Sequence, residues 1–280
     1  MTFKLMIPNT EGELQQELMD DEARILAGGT DLMVQMRSGK VAPTRVVSIK
    51  KLERLKEISD LGERIRIGAA VTYSELQRSH ILQEKSPILL KAIRQIGSLQ
   101  IRNRGTAVGN IANASPAGDA VLAMVLSEAR VEIMGPKGER HESIESFIIG
   151  PGRTTLSTGE YIRAVVIEKT DDWQSLFIKV GQRNAMCISV ASIGVLRKGK
   201  EVRLAFGSVA PVVVRAHKAE RFFTREGIDG TKLGEFVERC VESISPIDDV
   251  RASSWYRRQV VRGELMKIFG HPDVGGTDVT

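Results

Sequence analysis

The chain has 280 residues, 42% hydrophobic and 27% charged, which suits two domains or one subdivided domain with a buried core. Its formal charge is +5, but Lys and Arg are spread along the chain and aromatics are only 5%, which argues against a nucleic-acid binder. No apolar run approaches the roughly 18 residues of a membrane-spanning helix, and MTFKLMIPNTEGELQQ lacks a basic stretch followed by an apolar one, so a cytoplasmic protein is expected.

In chain order, Arg24 to Ala27 is predicted as a short buried strand running into Gly28-Gly29-Thr30-Asp31, and Leu32 to Ser38 as a helix closed by Gly39. Arg45 to Ile49 is a second strand. Arg64 to Ala70 alternates Ile65 and Ile67 with charges, the pattern of a half-buried strand. Thr72 and Glu75 form a capping box, and Ser86-Pro87 opens a helix whose apolar residues Ile88, Leu89, Ala92, Ile93 and Ile96 share a face. Asp119 to Glu128 is a strongly apolar helix, followed by a strand over Val131 to Met134.

The pattern changes near Thr170-Asp171-Asp172. Strands are predicted over Trp173 to Val180, Cys187 to Arg197 and Val202 to Val209, then helices around Ala216 to Thr224, Lys232 to Ser243 and Ser253 to Phe269. Consecutive strands followed by consecutive helices argue for an antiparallel sheet with helices on one side, an α+β domain. Residues 271–280 are polar and Gly-rich, and a flexible tail is expected there.

Several chemistries find no support. Cys187 and Cys240 make no C-x-x-C and no iron–sulfur pattern, and read as reduced, buried residues. None of His80, His141, His217 and His271 falls in a zinc motif. Neither a G-x-S-x-G elbow nor a phosphate-binding P-loop is present.

Two small-residue loops carry most of the information. In the first, Ala27-Gly28-Gly29-Thr30-Asp31-Leu32, glycines allow positive φ and close approach of a ligand, and exposed N–H groups at a helix start suit a phosphate. The alternative is a tight strand-to-helix turn with Asp31 as its cap. In the second, residues 105–120, thirteen of sixteen residues are Gly, Ala, Ser, Thr, Asn or Pro, and Asp119 alone is charged. Such a stretch can wrap a phosphate-bearing ligand; the alternative is a surface linker, against which its lack of charge speaks.

AGGTDL at 27–32 and IRNRGTAVGNIANASPAGDA at 101–120 closely resemble the FAD-binding subunits of the xanthine dehydrogenase and carbon monoxide dehydrogenase group, the molybdenum hydroxylases. The resemblance continues through Pro151 to Leu156, an F-x-K-x-x-x-R run at Phe177, Lys179 and Arg183, the turn Gly207-Ser208-Val209-Ala210-Pro211, and a D-x-R-A-S-x-x-Y-R signature from Asp249 to Arg257. Six matches in order span nearly the whole chain.

The resemblance implies an α+β protein: a two-part α/β FAD domain of the PCMH type over 1–170, split near 52–60, then over 171–270 an antiparallel sheet with helices of the carbon monoxide dehydrogenase flavoprotein type. It implies non-covalent FAD held by Ala27, Gly28, Gly29, Thr30, Asp31 and Leu32 from the first stretch, and by Thr106, Gly109, Asn110, Ala112, Gly118 and Asp119 from the second. Leu156 would pack on the flavin side and Lys179 would sit near the ring; the alternative for Lys179 is a solvent-facing strand lysine. A large subunit would hold the molybdenum cofactor and a small one two [2Fe–2S] clusters, with NAD⁺, a quinone or oxygen as electron acceptor. A stand-alone FAD oxidoreductase and a flavin-free assembly module are the rival readings.

One departure stands out. The family usually reads G-T-x-G-G-N, and this chain has Val108 where the first of the paired glycines belongs. A β-branched residue disfavours positive φ, so the segment must run with negative φ or be strained. Val108 is expected to point away from the pyrophosphate and Gly109 to make the close approach.

Overall fold

A computed structural model describes residues 2–183 and 187–270; the expected tail over 271–280 lies outside the described residues. The chain begins with strand β1 (Lys4–Met6), helix α1 (Glu11–Glu17), β2 (Ala23–Leu26), α2 (Leu32–Arg37) and β3 (Arg45–Ser48). Thr10 starts α1 by accepting the Glu13 N–H at 3.1 Å. The strands pair in parallel in the order β1-β3-β2, as expected where a helix returns the chain between strands. This first lobe leads through a 3₁₀ turn (Glu53–Lys56) to a second.

The second lobe holds β4 (Ile58–Asp60), β5 (Arg64–Gly68), α3 (Tyr73–Arg78), α4 (His80–Lys85), α5 (Pro87–Arg94), α6 (Leu99–Arg102), α7 (Ala107–Asn113) and α8 (Asp119–Leu126). It continues with β6 (Arg130–Gly135), β7 (Gly138–Ser143), α9 (Ile144–Phe147), the small pair β8 (Ile148–Gly150) and β9 (Arg153–Thr154), and β10 (Tyr161–Glu168). Its five-stranded sheet is antiparallel throughout, in the order β4-β5-β10-β6-β7. The capping box at Thr72 and Glu75 is present with both bonds.

The last part contains β11 (Gln174–Val180), β12 (Ala191–Lys198), β13 (Glu201–Gly207), β14 (Val214–Arg215), α10 (His217–Glu226), α11 (Leu233–Glu242) and α12 (Ser254–Gly270). The strands form an antiparallel sheet in sequence order. Alternate residues serve its two faces, as the period of a strand requires. Ala191, Ile193 and Val195 join the core under α10, α11 and α12, where Phe223, Phe236 and Phe269 meet ring to ring. Leu196 and Phe177 belong instead to the core shared with the first 170 residues. Helices therefore cover both faces of this sheet: α10 and α12 on one, α5 and α8 on the other.

Helix α8 explains that arrangement. All eight of its residues are buried, and a helix apolar around its whole circumference has to be enclosed on every side. It seats closely on β12: a Cβ at Gly194 would lie 2.4 Å from Leu122 and 2.5 Å from Leu126. Of the two cysteines, Cys240 is buried as expected, whereas Cys187 is only partly so. No described helix is long and apolar enough to cross a membrane.

The D-x-R-A-S-x-x-Y-R signature is a fastener. Arg257, 1% exposed, donates to the carbonyls of Val190 (2.6 Å) and Ser208 (2.7 Å) and to Asp249 Oδ1 (2.6 Å). The other oxygen of Asp249 accepts from Arg251. Arg251 first, and then Arg257, hold the Asp249 carboxyl far below the usual carboxylate range. A group with a depressed folded-state pKa contributes stability that is fully present above its ordinary value, near 3.9, and is lost as pH falls towards the folded value. Asp249→Asn is therefore expected to lower the urea midpoint at pH 7, and the deficit to shrink as pH is taken from about 5 to 3. Equal deficits at both ends of that range would contradict the assignment.

Candidate cofactor-binding cleft

The first wall of a cleft is built where β2 ends. Gly28 comes so near the second lobe that a Cβ there would lie 2.0 Å from the Arg104 carbonyl oxygen, and Gly29 has φ +77. Both positions therefore require glycine, one for proximity and one for conformation. Asp31 occupies the position before α2, but its side chain makes no capping bond. It accepts instead from Asn113 Nδ2 at 3.3 Å, and Asn113 Oδ1 accepts from Gln35 at 3.0 Å, so α2 and α7 are tied across the cleft.

The second wall corrects a sequence expectation. Residues 105–120 are not all loop: Thr106 accepts the Gly109 N–H at 2.9 Å and starts helix α7. Ala107, Val108 and Ile111 are buried on that helix, which ends at Ala114 with φ +47. Small side chains hid the element, because they give little apolar periodicity while packing well against a neighbour. Val108 takes helical, negative φ, so the residue in the family's glycine position is unstrained. The second wall is fixed to α3 by a bridge between Thr72 and Thr106 and by the Tyr73 N–H to the Gly105 carbonyl at 2.9 Å.

Between the walls lies a cavity of about 570 Å³, bordered by Ala27, Gly28, Gly29, Thr30, Asp31, Leu32, Thr106, Gly109, Asn110, Ala112 and Leu156. The structure thus brings together eleven of the fourteen residues singled out in the sequence. Gly118, Asp119 and Lys179 lie outside its border. Gly118 precedes α8, and a Cβ there would meet Asn110 Oδ1 at 3.0 Å. Lys179 is not solvent-facing: its ammonium lies 2.6 Å from the buried Asp119 carboxylate and 3.0 Å from the Gln95 carbonyl. Burial pushes the Asp119 carboxyl up, with Lys179 opposing.

Other bordering residues were missed. Asp21 and Thr158 carry no motif of their own and reach the cavity only through the pairing of distant segments. Tyr73 lies in the capping box, Asn113 lies in the second small-residue stretch, and Val108, expected to point away from the pyrophosphate, is buried on α7 yet also borders the cavity. Burial raises the Asp31 carboxyl, opposed by the Thr30 hydroxyl, and burial together with the charges of Asp31 and Asp119 raises the Tyr73 hydroxyl. The side-chain oxygen Oδ1 of Asn110 is buried with no hydrogen-bond partner among the described residues. Among the described residues, neither Cys nor His borders the cavity.

Residues 1–169 match the family model described as the FAD binding domain in molybdopterin dehydrogenase, and 177–271 match the CO dehydrogenase flavoprotein C-terminal domain. The chain belongs to the FAD-binding subunits of the molybdenum hydroxylase family. It is 31% identical over 256 residues to a xanthine dehydrogenase FAD-binding subunit of Escherichia coli O157:H7, covering 88% of this chain and 87% of the relative. It is 28% identical to the glyceraldehyde dehydrogenase medium chain of Sulfolobus acidocaldarius, covering 89% and 90%. Among solved structures, a carbon monoxide dehydrogenase from Hydrogenophaga pseudoflava superposes with a TM-score of 0.90 at 25% identity, over 95% of this chain and 96% of that one.

The cleft fits FAD. Its volume falls within the roughly 300–1,000 Å³ usual for cofactor sites, and Gly28 and Gly29 expose main chain at its wall. The wall-to-wall contact is directly testable. Gly28→Ala is expected to destabilise the chain by about 1–3 kcal/mol, the usual cost of overpacking. Gly12→Ala, on an exposed face of α1 with no atom nearer than 3.9 Å, should instead stabilise by up to about 1 kcal/mol. Urea unfolding of the two variants checks this, and similar shifts of the same sign would contradict the geometry.

Proposed function

We propose that this chain holds FAD non-covalently in the cleft and relays electrons from iron–sulfur clusters on a partner chain to an external acceptor such as NAD⁺, a quinone or oxygen. The observation that carries the reading is the convergence of Ala27–Leu32 with Thr106, Gly109, Asn110 and Ala112 on one cavity. The N–H groups of Gly28, Gly29 and Thr30, with those at the start of α7, are the donors assigned to the pyrophosphate. Gly118, Asp119 and Lys179 act from behind: the Lys179–Asp119 pair holds the start of α8, and with it Asn110, against β11. FAD supplies the redox chemistry when bound, and the chain supplies orientation and electrostatics.

The composition fits the division of labour that the family resemblance implies. Two cysteines cannot ligate a four-cysteine cluster, and by the resemblance the [2Fe–2S] centres are assigned to a small subunit and the molybdenum cofactor, with substrate hydroxylation, to a large one. We further assign FAD binding to 1–170, as two parts divided near 52–60, and a C-terminal α+β domain to 171–270, whose sheet packs one face on the first 170 residues.

Acid precipitation of the holoprotein should release all yellow colour, with the mass of FAD, since no Cys or His among the described residues borders the cavity to form a flavin bond. Gly109→Val should abolish FAD retention through gel filtration, because its side chain would meet Thr106 Oγ1 at 2.8 Å and block the start of α7. Val108→Gly should retain FAD, at a cost in stability from the lost buried side chain and the helical glycine. The purified chain alone should not oxidise purines, aldehydes or carbon monoxide. Colour left in the pellet, FAD retained by a folded Gly109→Val chain, or substrate oxidation by the lone chain would each overturn the corresponding part of the reading.

A further inference from the structure

Residues 2–49 form one wall of the cleft and are joined to the rest by a single passage of the chain. The sheet of β1, β2 and β3 takes in no later strand among the described residues. Among the described residues, the main-chain hydrogen bond that crosses the joint is that of the turn itself, from Leu52 N–H to the Ile49 carbonyl at 3.1 Å. The polar contacts that close the first lobe on the second are otherwise made by side chains, and along β10 they form a compact set.

There Glu11, at the start of α1, accepts the Tyr161 hydroxyl at 2.7 Å and faces the Arg163 guanidinium, with Nε 3.0 Å from Oε2 and Nη2 donating to Oε1 at 3.3 Å. The Glu11 and Arg163 side chains are only 20% and 23% exposed, so the pair is better shielded from solvent than a surface ion pair. Beside it, the Thr158 hydroxyl donates to Asp21 at 2.5 Å. Asp21, Thr158 and Tyr161 border the cavity, whereas Glu11 and Arg163 do not. The Glu11–Arg163 pair therefore joins the lobes from outside the cavity, and the Tyr161 hydroxyl and the Asp21–Thr158 bond join them at its rim.

We propose that residues 2–49 are a jaw that swings about Lys50–Leu52 to admit and release FAD, and that the Glu11–Tyr161–Arg163 contact, reinforced by Asp21–Thr158, is the clasp that limits how often it opens. The proposal rests on the cleft being the FAD site. Side-chain bonds can break and re-form without disturbing either sheet, whereas a lobe sharing strands with its neighbour could not swing as a unit. Glu11 is a positioning residue: it acts on the cofactor only by holding the lobes together.

The test is the kinetics of FAD exchange in the full chain, followed by flavin fluorescence. A clasp slows passage in both directions, so Glu11→Ala should accelerate FAD uptake and FAD release together, by about tenfold for the loss of a charge-assisted bond. Glu11→Gln, which keeps an acceptor for Tyr161 but not the charge for Arg163, should fall between. Conversely, an Asp21→Cys/Thr158→Cys chain should exchange FAD more slowly when oxidised than when reduced. A residue that only strengthened cofactor binding would change release without uptake. The clasp is overturned by that result, by unchanged rates in Glu11→Ala, or by equal exchange in the oxidised and reduced double-cysteine chain; if the cysteines do not join, the Glu11 rates decide. Retention of FAD by Gly109→Val would instead reject the site itself, which keeps the two failures distinct.

Discussion

Gly28 and the Arg104 carbonyl belong to segments 76 residues apart, yet they are so close that no other side chain fits between them. This approach sets the width of the cleft. On one side of it the chain turns from β2 into α2 through Gly29 in the left-handed region; on the other it passes through Gly105 into the Thr106 cap of α7. Both turns present main-chain donors at helix starts, the arrangement that suits an anionic ligand. The hydrogen bonds among Asp31, Asn113 and Gln35 then tie the two helices together. The glycines are thus needed first by packing, and the binding surface follows from that packing.

The far side of the second wall is equally constrained. Helix α8 follows the small-residue stretch directly, and its complete burial places it between the cleft and the C-terminal sheet. Gly194 lets its leucines seat on β12, and the Lys179–Asp119 pair ties its first residue to β11. Breaking one partner of such a buried pair leaves an uncompensated charge, a larger effect than the net contribution of the intact pair. Lys179 and Asp119, although outside the cavity, therefore lie on the path by which the C-terminal sheet sets the position of the cofactor stretch. Further along, Asp249 and Arg257 fix the turn through Ser208, itself at φ +63, by the same device. Residues that carry the family signature here are largely those that hold loops in conformations the local sequence would not choose.

Elements with a clear period or a clear cap were legible. The strand at Arg64 shows alternation, α5 shows one apolar face after Pro87, and α3 carries both halves of its capping box. Strand β10 was not legible: it sits at the centre of its sheet with apolar residues on successive positions, so it has no alternation to read. Helix α7 was hidden by its small residues, β1 by being only three residues long, and α1 by its polar composition. Within the site, the two glycine turns were visible because their residue types are unusual. Asp21 and Thr158, Glu11 and Tyr161, and Lys179 and Asp119 were not recognisable as pairs, since each joins segments at least 60 residues apart and neither partner is unusual alone.

The central claim is that the cofactor lies between these two walls. Hydrogen exchange of the full chain with and without FAD tests it most directly, because the proposed contacts are largely main-chain N–H groups. FAD is predicted to slow exchange at residues 27–32 and 106–113 and to leave α10 and α11 unchanged. Protection confined to the C-terminal helices, or no protection at either glycine turn in a chain that has bound FAD, would contradict the account.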